Sequence, residues 1–249
     1  MNAQNIPHPS PEPSSPNAPV WMPSQFKGVA AKARGGRGSS LENRSLGETI
    51  ANSVSNGVGA ALAIAALVIL VVVAALHGGG VRLLAALAFA VPMLLAFLMS
   101  TLYHAIPAEE PKTVFRILGH SFVFLYIAGA CTPYCMLLLA DAGGPMLCGI
   151  EWTLAFAGIL IEVLWTNRPR WVQVGLCIVM GLLTLTLAPA LAVVIEPAGM
   201  ILLAVAAVCF VVGLVFYVFR QVPYLWFVSH LIVLAGSICL FLSVVLFVI

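Results

Sequence analysis

The sequence predicts an all-α fold, a polytopic membrane protein built as a bundle of seven transmembrane helices. Of its 249 residues, 62% are hydrophobic and only 8% are charged, and the mean hydropathy is +1.09. Long apolar runs follow one another after residue 45, and the few charged residues fall between them. Apolar runs of about 20 residues cross the hydrocarbon core of a bilayer as α-helices. An ordinary soluble domain does not have this composition.

Residues 1–44 differ from the rest and are predicted to form a disordered, Pro-rich and basic cytoplasmic tail. Residues 1–23 contain seven prolines, and they have too little apolar surface to offset the entropy of ordering. Residues 27–44 carry five Lys and Arg, which either contact anionic lipid headgroups or only fix the topology. No signal peptide is predicted, because the first long apolar run begins too late. Residues 45–249 form the membrane domain.

The first three helices are predicted from capping residues, glycines and prolines. Ser45 and Glu48 match a capping box that begins the first helix, in which Asn52 and Asn56 continue one face at a spacing of four. A run of glycines separates this helix from the second, which ends just before Pro107. The third helix follows a charged connection. The predicted bounds are residues 47–76, 81–105 and 114–140.

The last four helices are bounded by Gly, Pro and Arg in the same way. The predicted bounds are residues 145–166, 170–190, 198–219 and 223–249. Prolines inside three of the apolar runs predict kinks, because a membrane helix tolerates proline where its neighbours satisfy the freed carbonyl groups. These prolines are Pro92, Pro133 and Pro189.

The charge distribution predicts the orientation. The tail and the connections after the second, fourth and sixth helices carry ten Lys and Arg, whereas the opposite side carries only Arg82. Basic residues are enriched in cytoplasmic connections. The protein is therefore expected in the plasma (inner) membrane with its amino terminus in the cytoplasm and its carboxyl terminus outside.

His230 is the one ionisable side chain of the seventh helix and lies in its cytoplasmic third. An ionisable residue inside a membrane is a candidate functional residue, because burying it is unfavourable. The predicted orientation brings further polar groups to the same depth, namely Glu48, Asn52, Ser100, His104, His120 and Glu162. The carboxylates at the outer helix ends, Asp141, Glu151 and Glu196, are expected to be hydrated and without function.

Two interpretations of this polar layer remain open from spacing alone. Ser100 and His104 lie four residues apart, so they share one face of the helix, which would let both point into the bundle. Neutral imidazoles from two helices, with a water or a carboxylate, form a zinc site. The alternative is a structural cluster of hydrogen-bonded polar groups. The cysteines are scattered through apolar runs and are predicted to be buried free thiols.

Four sequence segments resemble the haemolysin III family, within the wider group of seven-span progestin and adiponectin receptors. They are ETIANSVSNGVGAAL in the first helix, Ser100 to His104 closing the second, FLYIAGACTP in the third, and GLVFYVFRQVPYLWFVSHLIVLAGS across the last two. The resemblance covers about residues 45–249.

The resemblance implies a zinc ion near the cytoplasmic face, held by three His with an assisting Ser and Asp. His104 and His230 match two of the ligands, and Ser100 matches the Ser. The third His position is occupied by Trp226 and the Asp position by Gly119, one residue before His120. A His in the first helix is replaced by Asn56, and one late in the seventh by Leu240. The resemblance thus leaves two possibilities for this site, a bound zinc ion or a metal-free cavity.

Three functions follow as hypotheses. The first is a haemolysin III-like protein with a cytoplasm-facing polar cavity, which acts in lipid or membrane homeostasis or sensing. The second is a zinc-dependent, ceramidase-like hydrolase of lipid amides. The third is a pore-forming cytolytic protein, although a water-filled pore requires polar stripes through the whole bilayer. Whether the protein is an enzyme stays open.

Composition also limits the partners and the class of protein. Membrane lipids are the expected partners. Nucleic acid is not, because the basic residues do not form a patch. A retinal protein is excluded, because the seventh helix contains no Lys for a Schiff base.

Overall fold

The computed structural model describes residues 46–106, 109–165, 169–219 and 222–249. Within these ranges the chain forms eight α-helices and one π-helical turn, without a strand. The predicted tail, residues 1–44, and Ser45 of the predicted capping box lie outside the described residues.

Seven spans are long and apolar enough to cross a membrane, which confirms the predicted all-α seven-span architecture. The fifth span is made of two helices, α5 and α6. The helices are α1 (Leu46–His77), α2 (Gly80–Ala105), α3 (Glu109–Pro133), α4 (Gly144–Leu164), α5 (Arg170–Leu185), α6 (Ala188–Val194), α7 (Pro197–Val218) and α8 (Leu225–Phe247), and the π-helical turn is Tyr134–Leu138. The predicted bounds agree closely except at the start of α3 and in the fifth span.

The helices pack mainly on their neighbours in sequence. α1 packs on α2, α2 on α3, α3 on α4 and α7 on α8, and α8 also contacts α1. Glycines allow two of these pairs to approach closely. A side chain at Gly129 of α3 would collide with the backbone of Ala88 in α2, and one at Gly236 of α8 would meet Cys209 of α7. Small residues at helix crossings are typical of membrane bundles.

Two tyrosines on the third span hold it to α8. The hydroxyl of Tyr126 donates to Ser237 Oγ at 2.8 Å, and that of Tyr134 donates to Ser243 Oγ at 2.9 Å. All four side chains are buried. In a membrane interior these bonds satisfy hydroxyl groups that water cannot reach.

The backbone is irregular in the third and fifth spans, where prolines predicted kinks. α3 ends at Pro133 and continues as the π-helical turn, while the fifth span breaks at Thr186 and Leu187, before Pro189. Pro92 lies inside a continuous α2. Proline removes a backbone donor, and in the third and fifth spans the helical hydrogen-bonding pattern changes close to it.

The predicted exposure of the outer carboxylates is confirmed for two residues and wrong for the third. Asp141 and Glu196 are exposed, but Glu151 is fully buried in α4, with an exposed fraction of 0%. Glu151 lies two turns inside the helix, and its face is turned towards Thr184 of α5. The six cysteines are free thiols, as predicted. Cys131, Cys135 and Cys148 are also buried as predicted, whereas the other three are only half-buried.

Candidate functional site

His104, Trp226 and His230 form a compact ring cluster between the end of α2 and the beginning of α8. The centroid of the His104 ring lies 4.7 Å from that of Trp226 and 5.7 Å from that of His230, with edge-on geometry in both pairs. Trp226 stacks on His230 one turn along α8, at 6.1 Å and 26° between the planes. The two imidazoles thus converge, and the indole lies against both.

Two tyrosines extend this cluster. Tyr103 lies 6.0 Å from Trp226, and Tyr217 of α7 lies 6.3 Å from it, centroid to centroid. The Tyr217 hydroxyl donates to Oε1 of the buried Gln173 in α5 at 3.5 Å. Sequence reasoning missed Tyr103, Tyr217 and Gln173. The available signal was that Tyr103 adjoins His104 and that Tyr217 lies inside a segment that carries the family resemblance.

The polar face of α1 is buried and hydrogen-bonded along the helix. Asn52 Nδ2 donates to the Glu48 carbonyl at 2.9 Å, and Asn56 Nδ2 donates to the Asn52 carbonyl at 2.8 Å. All three residues are buried. Gly57 lies beside Thr101 of α2, so in this antiparallel pair Glu48 and Asn52 fall towards the end of α2 that carries His104.

His120 is directed to α4. Its Nδ1 lies 2.9 Å from Oε1 of Glu162, and the side chains are 22% and 2% exposed. A Cβ at Gly119, one residue earlier, would instead lie 3.8 Å from the Cβ of Met99 in α2. A shift of one residue rotates a helical side chain by about 100°, which explains why these neighbours face different helices.

The ring cluster contains two of the three His ligands that the resemblance implies for zinc. Catalytic zinc sites have three protein ligands and one open position. His104 and His230 are two such ligands, while the indole N–H of Trp226 is a donor only. Ser100 is half-buried on α2, one turn before His104. Among the described residues no group of three His, Cys, Asp or Glu side chains is arranged to hold a metal ion. The described side chains therefore do not complete a three-ligand zinc site.

An apolar groove lies beside the ring cluster, on the lipid-facing side between α1 and α8. Its volume is about 470 Å³. Phe227 and Leu231 line it from α8, each one residue after Trp226 and His230. Ala51 and Val54 line it from α1. The groove and the ring cluster are thus on adjacent faces of the same helical turns.

Sequence comparisons agree with this architecture. The profile of the family described as "Haemolysin-III related" matches residues 45–241. "Hemolysin-3" of Bacillus cereus is 34% identical over 201 residues, which cover 81% of this chain and 92% of that protein. "Hemolysin-3 homolog" of Bacillus subtilis (strain 168) is 33% identical over 200 residues, which cover 80% of this chain and 94% of that protein. No solved structure matches the chain significantly.

Proposed function

Because this chain belongs to the haemolysin-III-related family, we propose that it acts in lipid or membrane homeostasis or sensing at the plasma membrane. In this proposal the cluster of His104, Trp226 and His230 forms a polar cavity that faces the cytoplasm. Membrane lipids are the molecules to which the cavity responds.

The observation that carries the proposal is the adjacency of the ring cluster and the apolar groove. A lipid has an apolar chain and a polar headgroup, and a binding site for it needs both environments side by side. The groove between α1 and α8 supplies the apolar part. The imidazoles and the indole, 4.7 to 6.1 Å apart, supply the polar and aromatic part.

A photoreactive phospholipid with a diazirine in its acyl chain tests this proposal. In nanodiscs we expect labelling of Phe227 and Leu231 to exceed that of the lipid-facing Val208 on α7 several-fold. Ala51→Trp fills the groove and is expected to abolish the excess. The control Val211→Trp places the same indole on an open lipid face of α7 and should leave the excess unchanged. Equal labelling of both faces in the native protein would refute the proposal.

Zinc-dependent hydrolysis of a lipid amide is the second candidate. The convergence of two imidazoles on one space, 5.7 Å apart, favours it. It requires a third ligand beyond the two that His104 and His230 supply. We rank it below the first candidate for this reason. Cytolysis ranks third, because its support is the printed name of the Bacillus cereus relative.

A further inference from the structure

Glu151 is a fully buried carboxyl group at the end of the bundle opposite the ring cluster. It is the eighth residue of α4, so it lies about 10 Å along a helix of about 30 Å. Its exposed fraction is 0%. Carboxyl groups at such depth are rare in membrane helices and usually have a function.

Within the described part of the chain, one of the two carboxyl oxygens of Glu151 is hydrogen-bonded and the other is not. Thr184 Oγ1 donates to Oε1 at 2.9 Å. Oε2 is buried and accepts no hydrogen bond from the residues that the structure describes. An ionised carboxylate needs several donors or a cation when it is removed from water. A protonated carboxyl group needs fewer hydrogen-bond donors around it, because it carries no charge and its Oε2–H is itself a donor.

Among the described residues, the titratable groups that interact with Glu151 are thiols. α3 and the π-helical turn contribute Cys131 and Cys135, and α4 itself contributes Cys148. None of these groups carries a positive charge. The surroundings therefore disfavour the ionised form of Glu151 and favour the protonated one.

Glu151 is also connected to the irregular backbone of the fifth span. Its partner Thr184 accepts the Leu187 N–H at 3.1 Å through its carbonyl oxygen, at the break between α5 and α6. The π-helical turn contacts both α4 and α6. Non-helical backbone inside a membrane is tolerated only where protein or a cavity surrounds it, and π-helical turns are frequent at functional sites. Thr184 thus links the carboxyl group to the break.

We propose that Glu151 is a reversible proton-binding site, protonated in the resting protein and hydrogen-bonded through Thr184 to the break in the fifth span. Its ligand is a proton rather than a metal cation. The proposal does not depend on the role of the ring cluster in lipid sensing.

Dicyclohexylcarbodiimide tests the proposal, because this apolar reagent reacts with protonated carboxyl groups inside membranes. The carboxyl proton moves to a reagent nitrogen, and the carboxylate oxygen bonds to the central carbon. We expect peptide mapping of the native protein in membranes to find Glu151 modified several-fold faster than Glu162. Glu162 is the internal control, equally buried but paired with His120. Modification of Glu151 should decrease as pH rises and be unaffected by sodium ions.

Three outcomes of this mapping would overturn the proposal: no modification of Glu151, equal modification of Glu162, or protection of Glu151 by sodium. Infrared spectroscopy provides a second measurement without the reagent. The carbonyl band of a protonated carboxyl should disappear in Glu151→Gln and persist in Glu162→Gln. Persistence of the whole band in Glu151→Gln would contradict the assignment.

Discussion

Trp226 decides what the ring cluster can bind. Its indole lies against His104 and His230 at the position where a third imidazole would be expected. An indole cannot ligate a cation. Gly119, by contrast, leaves room, because a Cβ there would be 3.8 Å from the Cβ of Met99, an ordinary contact. By the family resemblance, a His at position 226 of α8 would be the third ligand, and an Asp at position 119 of α3 would be the assisting carboxylate.

We expect the native protein to hold zinc weakly or not at all, and the double variant Trp226→His, Gly119→Asp to bind about one zinc ion per chain. The reason is that the variant adds an imidazole one turn before His230 and a carboxylate from α3. Metal analysis of the purified proteins after chelation and reloading measures this.

The matched control is Trp226→Phe with Gly119→Asp, which removes the indole without adding an imidazole and should not gain zinc. Adding His104→Ala to the double variant should abolish binding. Tight zinc in the native protein, or binding that survives His104→Ala, would contradict this account.

At this scale the sequence predicted the common level of His104 and His230 better than the partners of the polar residues. That common level follows from counting residues along helices of predicted orientation. The partner of His120 depends on how far α3 is rotated, and that rotation is set by packing against α2 and α4. The prediction that Glu151 is hydrated is wrong for the same reason. Its burial follows from the position of α5, which periodicity within α4 does not contain.

Among the helices, the crossing of α2 and α3 has the least room for change. Gly129→Ala would bring a methyl group onto the Ala88 backbone, and a backbone cannot move aside as a flexible side chain can. We expect a loss of about 1–3 kcal/mol in the free energy of unfolding, typical of overpacking. Thermal or denaturant unfolding in detergent measures it.

Gly181→Ala is the matched control for Gly129→Ala. Gly181 is also in the interior of a helix, but a Cβ there would have no heavy atom within 4 Å. Alanine is the better helix former, so this variant should be neutral or slightly stabilising. If both variants had the same free energy of unfolding, the close packing of α2 on α3 would not limit the stability of the protein.

The sequence predicted the existence and type of the helices because their apolar runs are long and separated by charged or turn residues. Pro133 and Pro189 indicated where two spans become irregular. The form of each irregularity was beyond sequence reasoning. A π-helical turn after Pro133 and a break before Pro189 both release the hydrogen bond that proline removes, and tertiary contacts select between them.

For the molecule as a whole, the orientation in the membrane is the next quantity to measure. Ten Lys and Arg on one side against Arg82 on the other predict a cytoplasmic amino terminus and, with seven spans, an outer carboxyl terminus. A reporter that is active only outside the cytoplasm, fused after Ile249, should be active. A pair of reporters with opposite compartment requirements provides the control.

If both fusions reported a cytoplasmic carboxyl terminus, the ring cluster would have to face the outside. The cytoplasmic cavity of the proposed function would then be ruled out.

The helices of this bundle differ widely in length. α1 has 32 residues and α4 has 21, which correspond to about 48 Å and about 32 Å at a rise of 1.5 Å per residue. A hydrocarbon layer of about 30 Å matches α4, whereas α1 has to tilt or extend into the headgroup region. Thinning or thickening of the bilayer therefore changes the tilt of α1 relative to its shorter neighbours. α1 lines the apolar groove. Hydrophobic mismatch therefore changes the width of the groove without any ligand.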